Sequence, residues 1–114
     1  MKVLLDENLP HKLRLFLSEF ETITAVYAGF GGYKNGALLS AAEAADFDVL
    51  LTGDLSMEYQ QNLIGKKLAI VSLSDNRWQI VKQNLPAIRE AIAKATPGVL
   101  TRVDCIVPRT TGPS

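Results

Sequence analysis

Three apolar runs in this chain end on carboxylates. Lys2-Val3-Leu4-Leu5 runs into Asp6-Glu7-Asn8, Asp48-Val49-Leu50-Leu51-Thr52-Gly53 runs into Asp54, and Lys67-Leu68-Ala69-Ile70-Val71-Ser72-Leu73 stops at Ser74-Asp75-Asn76. Acids gathered in water-poor surroundings raise one another's pKa, and burial raises it further. A divalent cation relieves both effects. Hard carboxylate oxygens suit Mg2+ or Mn2+, and Mg2+ commonly binds through one or two carboxylates while waters and substrate phosphates complete its octahedron. Such a centre activates water and stabilises a leaving oxygen, the chemistry of phosphodiester hydrolysis, with one metal or two. Each acid also has a plainer role. Asp6 and Glu7 stand where a helix N-terminus favours anions, Asp54 can cap the turn that follows it, and Asp75-Asn76 makes an ordinary turn. Recurrence at three strand ends is what points to a shared site.

The elements that must position these acids follow from periodicity. Strands of a parallel sheet are covered on both faces and read as continuous Val/Leu/Ile runs, and in open parallel sheets the ligand crevice lies beyond the carboxyl ends of the strands. Between the first two strands, Leu9, Leu13, Phe16, Leu17 and Phe20 have helical spacing, predicting a helix over 9–20 with Asn8 as N-cap and Pro10 in the first turn. Thr22, Ile23, Thr24 and Val26 predict a second strand over 21–26, reached by a right-handed crossover. Residues 27–35 hold three glycines and two tyrosines and form a loop. Its aromatics either pack back on the core or make a lip where Tyr27, Phe30 or Tyr33 stacks on a base and Lys34 meets a phosphate. The Gly-Lys-Ser/Thr ending of a P-loop is absent.

Residues 36–45 are Ala- and Leu-rich and helical, 48–52 make the third strand, and Ser56 caps a short helix through about Leu63. Residues 67–73 are the fourth strand. A long helix follows over 77–94, bent or split at Pro86 and stopped by Pro97-Gly98, and 99–107 make a final strand at an edge. Strands alternating with helices predict a three-layer α/β/α domain, with a mainly parallel sheet of about five strands, over 1–107 and a flexible tail over 108–114.

The 114 residues suit one core. An apolar content of 47 % with 21 % charged residues is that of a soluble globular protein, and no run approaches the roughly 20 residues that span a bilayer. No signal peptide is read at the N-terminus. One cysteine, Cys105, excludes an internal disulfide and fits a reducing cytoplasm. Twelve basic and twelve acidic residues balance, so global charge does not announce a nucleic-acid binder. If the acids are pooled at a metal, however, the remaining surface is more basic and a local rim can hold phosphates. Asn76, Arg77 and Lys34 are the candidates for that contact. His11 has no partner at zinc-ligand spacing and reads as a solvated or capping residue. Cys105 has no base near it in sequence, and Thr52, Ser72 and Ser74 lack the hydrolase elbow pattern.

Leu5-Asp6-Glu7-Asn8-Leu9-Pro10, the stretch from Asp48 to Asp54, and the strand closing on Ser74-Asp75-Asn76 together resemble the PIN-like proteins of the DUF5615 group, over roughly residues 1–95. The resemblance implies a PIN-like fold and the metal-dependent ribonuclease toxins of bacterial toxin–antitoxin pairs. On it, Asp6 and Asp54 are the first- and third-strand ligands of Mg2+ or Mn2+, and Glu7 and Asp75 are supporting acids, Asp75 also holding metal. The partners it implies are RNA and a cognate antitoxin, and the apolar helices suit a homodimer. Relatives often open the second helix with an acid where this chain has Asn35-Gly36; Glu43, one or two turns further on, is the nearest substitute. Many relatives also carry an Asp-Phe pair where this chain has Leu55-Ser56-Met57. These departures define an alternative, a catalytically depleted module that binds RNA or protein. A receiver-type phosphoacceptor domain is a further alternative, opposed by the absence of a lysine after the last strand.

Overall fold

The computed structural model of the chain describes residues 1–54, 63 and 65–107. The apolar runs become β1 (Lys2–Leu5), β2 (Glu21–Thr24), β3 (Val49–Thr52), β4 (Ala69–Leu73) and β5 (Leu100–Val103). They form one sheet in the order β2-β1-β3-β4-β5 with every neighbouring pair parallel. β3 and β4 are buried along their whole length, which is why their sequences do not alternate. The outer strands β2 and β5 are half-exposed.

Alternation along each strand divides the core in two. Val3, Leu5, Val49, Leu51, Val71 and Leu73 pack on one face with Leu13, Leu17, Ile80, Ile88 and Ile92. Leu4, Leu50 and Ile70 pack on the other with Leu38, Ala42 and Phe47. The second face is covered by α1 (Asn35–Ala44). The first is covered by a 3-10 helix (His11–Phe16), by α2 (Trp78–Val81) and by α3 (Leu85–Ala93). The α/β fold with a parallel sheet is as the sequence predicts.

Two helices differ from expectation. The segment predicted as an α-helix over 9–20 is a single 3-10 stretch, with the Leu13 N–H bonded to the Pro10 carbonyl and the Leu17 N–H to that of Arg14. Of the buried leucines at 9, 13 and 17, only Leu13 lies within the 3-10 stretch, while Leu9 and Leu17 are buried from the segments that flank it, so the four-residue spacing that suits an α-helix is met here without one. Asn8 does not cap it; its side-chain oxygen accepts the Gly53 N–H at 3.2 Å instead. The helix predicted over 77–94 divides as Pro86 allows. α2 ends in a 3-10 turn (Lys82–Asn84), and α3 restarts with the proline in its first turn, where a missing N–H costs nothing. The short helix expected over 56–63 and the tail over 108–114 fall outside the described residues, apart from buried Leu63.

The passages from β1 to β2 and from β4 to β5 cross the same face, where the Phe16 and Trp78 rings meet at 5.1 Å, yet they run in opposite directions along the sheet. They therefore have opposite hands. The β2-to-β3 passage, on the other face, shares the hand of the first, so among these three connections the handedness rule makes β4-to-β5 the left-handed one.

That connection is fastened by Asn84. Its buried amide donates to the carbonyls of Ile80, at 2.8 Å, and Ile106, at 3.2 Å, and accepts the Ile106 N–H at 2.9 Å. Asn84→Ala strands these groups, and we expect a loss of about 2 kcal/mol in urea unfolding. A change below about 0.5 kcal/mol, the size of an ordinary surface substitution, would show that the clasp is dispensable.

Candidate carboxylate site at the switch between β1 and β3

The chain leaves β1 toward β2 on one side and returns past β1 to β3 on the other, so the sheet order reverses between β1 and β3. In open α/β sheets such a switch point opens a crevice at the carboxyl ends of the strands. Asp6 and Asp54 follow those two ends.

Asp6 continues the β1 ladder, its N–H bonded to the Leu51 carbonyl at 2.9 Å, and its side chain is only 7 % exposed. The Thr52 hydroxyl, fully buried, donates to Asp6 Oδ2 at 2.7 Å and accepts the Asp54 N–H at 3.0 Å. One hydroxyl thus joins the two acid-bearing segments. Burial pushes the Asp6 carboxyl above its usual range. The Thr52 hydroxyl and the Glu7 N–H pull it back, and the nearby charges of Asp54 and Glu7 raise it again. Ser72, opposite Thr52 in the β3–β4 ladder, is also fully buried, and its hydroxyl has no hydrogen-bond partner among the described residues.

Three loops converge here. Asn8 reaches from the β1 loop to the Gly53 N–H. A Cβ placed on Gly53 would stand 2.8 Å from Leu9 Cδ2 and 3.3 Å from the Asn76 Cβ, so the β3 exit is wedged between the exits of β1 and β4. Glycine is needed at 53 for space. The glycine loop is tied in as well. Glu7 Oε1 accepts the Gly32 N–H at 2.8 Å, which brings exposed Lys34, two residues on, toward the same end of the sheet.

The remaining candidates divide. Asp75 is held by Arg77 through Nε at 3.0 Å and Nη2 at 2.6 Å, and it also accepts the Arg77 N–H. These bonds hold its carboxyl at about 2, well below the usual 3.8. The expected metal ligand and the expected phosphate contact are therefore engaged with each other. Glu43 does not stand in for the missing second-helix acid. Its two oxygens accept the N–H groups of Lys67 and Leu68, at 2.9 Å each, where the chain enters β4. That is the amino end of the sheet, opposite Asp6. Asn8 and Thr52, which the sequence did not mark as site residues, are the ones that hold the crevice together.

The pairing of Asp75 with Arg77 has a pH consequence. A depressed carboxyl contributes stability that is present above its unfolded value near 3.8 and is lost as pH falls toward about 2. Arg77→Gln removes the side-chain part of that contribution. The variant should be less stable than the parent at pH 6 in urea unfolding, with the gap closing as pH nears 2. A gap that does not change with pH would contradict the assignment.

No group of three or more acidic, histidine or cysteine side chains able to enclose a metal is present among the described residues. Asp6 and Asp54 fit a different mode, a cation that keeps most of its waters and touches one or two carboxylates. Like charges close together, one of them desolvated, form the donor set such an ion relieves. No helix among the described residues is long and apolar enough to cross a membrane. No protein-family model, curated protein or solved structure matches the chain.

Proposed function

We propose that this chain is a PIN-like, Mg2+- or Mn2+-dependent ribonuclease, acting in the cytoplasm as the toxin of a toxin–antitoxin pair. The observation that supports the reading best is the Asp6–Thr52–Asp54 arrangement at the β1/β3 crevice. Asp6 and Asp54 hold the hydrated cation, which supplies an activated water and charge stabilisation at the scissile phosphate. Thr52 keeps the two acids in register. Glu7 anchors the glycine loop over the mouth, and Lys34 and Asn76 stand ready to touch the phosphates on either side. A cognate antitoxin and a second copy of the chain are the partners this reading carries.

One observation favours a second reading. With Asp75 bound to Arg77, the described residues offer two acids and no third ligand, as a module that binds RNA or protein without cutting would. The strand order is also that of flavodoxin-like sheets, receivers among them. Against a receiver, Asp54 stands beyond Gly53 instead of ending β3, and the segment from Val103 to Val107 holds no lysine.

The test is cleavage of a labelled structured RNA by the purified protein with Mn2+ and with EDTA, beside calorimetric Mn2+ titration. The nuclease predicts both binding and metal-dependent cleavage. Binding without cleavage selects the depleted module, and no metal binding ends the catalytic reading.

A further inference from the structure

A cavity of about 400 Å³ lies away from the carboxylates, between the 3-10 helix and the outer strand β2. It is lined by His11, Arg14, Thr22, Ile23, Thr24 and Tyr27. Its volume is at the lower end of the range for small-molecule sites, enough for one nucleotide-sized ligand. The 3-10 geometry explains the lining. With three residues per turn, side chains at i and i+3 eclipse, so His11 and Arg14 stand in line on one side. Lys12, one residue off, points elsewhere and lies 5.0 Å over the Trp78 ring. In an α-helix His11 and Arg14 would diverge by about 60°, given 3.6 residues per turn.

The chemistry of the lining is specific. Its one formally charged member is the basic Arg14, with the His11 ring beside it, and no carboxylate lines it. The Arg14 guanidinium makes no hydrogen bond or ion pair to a described residue, whereas Arg77, Arg89 and Arg102 are each paired. Tyr27 is 85 % exposed, an aromatic face open to solvent at the rim. The strand also contributes backbone. The N–H groups of Glu21 and Ala25 bond to β1, so by the alternation of a parallel ladder Thr22 turns its N–H and C=O to the open edge. A free guanidinium, an exposed ring and an adjacent donor–acceptor pair match phosphate, base face and base edge.

We infer that this pocket binds a nucleotide unit, with its phosphate on Arg14 and His11 and its base on Tyr27 beside Thr22. The unit comes either from a free nucleoside monophosphate or from a single-stranded RNA. This goes beyond the carboxylate reading and does not depend on it, because the pocket uses none of the acids and is tested without divalent metal.

The test is calorimetric titration of the full chain, in EDTA, with AMP, UMP, adenosine, inorganic phosphate and a 2′-O-methyl RNA hexamer. The nucleotides should bind at least about tenfold more tightly than phosphate or adenosine alone, since both halves of the ligand are held. Arg14→Gln should weaken them about tenfold or more, through a lost charged hydrogen bond. Tyr27→Ala should weaken them at least about fivefold, through lost stacking. Lys12→Gln, one residue away and outside the pocket, should leave binding unchanged. Hexamer binding that falls with the same two variants identifies an RNA strand as the source; binding of mononucleotides without the hexamer identifies a free nucleotide. The inference is overturned if nucleotides bind no better than phosphate, or if Arg14→Gln and Tyr27→Ala both bind like the parent. Both positions are exposed, and a circular dichroism melt of each variant checks that it folds.

Discussion

Asp6→Asn and Asp54→Asn should each lower metal-dependent RNA cleavage by about a hundredfold or more, the size of effect expected when a preorganised electrostatic group is removed from a reacting centre. Mn2+ affinity should fall in both. A stability measurement separates this from damage to the fold. The Asp6 carboxyl is raised by burial, so its ionisation opposes folding. Its contribution is fully present below the unfolded value near 3.8 and is lost as pH rises through the raised folded value. Asn cannot ionise, and its oxygen can still accept the Thr52 hydroxyl at 6. Without metal, Asp6→Asn should therefore be at least as stable as the parent at pH 7, while Mn2+ should stabilise the parent alone. If the variant unfolds more easily at pH 7 and cleavage survives, Asp6 is a structural acid and the catalytic assignment fails.

Gly53→Val should be the most damaging single change at the crevice. A Cβ at 53 already meets Leu9 at 2.8 Å, and Leu9 is buried and has little room to yield. Overpacking of this kind costs about 1–3 kcal/mol, with alanine near the low end and valine near the high end. The displaced groups are the exits of β1 and β4, so metal affinity should fall together with stability. Urea unfolding and Mn2+ titration on Gly53→Ala and Gly53→Val would show the graded loss. A stable Gly53→Val with parental metal affinity would mean that the three exits do not need to meet at this distance.

Much of the frame was legible in the chain because burial on both faces leaves a plain mark. Val49–Leu51 and Ala69–Val71 are apolar runs inside β3 and β4, the two fully covered strands. Pro86 marked the break between α2 and α3 for a reason of backbone chemistry that holds in any context. The segment over 9–20 was not legible, since the spacing of buried Leu9, Leu13 and Leu17 suits an α-helix, yet Leu9 and Leu17 are buried from the turns on either side of a shorter 3-10 stretch. Reading it as α hid the alignment of His11 with Arg14. Glu43 shows a second limit: spacing places an acid on a helix but does not say which end of the sheet that acid will meet. The acids at the strand ends could be named from pattern. The hydroxyl and amide that tie them, on Thr52 and Asn8, depend on pairings 45 and 46 residues apart, which no local pattern carries.

Thr52 has a single hydroxyl proton, and it is spent on Asp6 while the oxygen's lone pairs face the Asp54 N–H. The chain of bonds therefore has a direction: amide to hydroxyl to carboxylate. A proton arriving on Asp6 removes the reason for that direction, and the hydroxyl becomes free to turn. The relative placement of the two acid-bearing segments is thus a property of one shared hydrogen, read at one end as protonation and at the other as the posture of a turn.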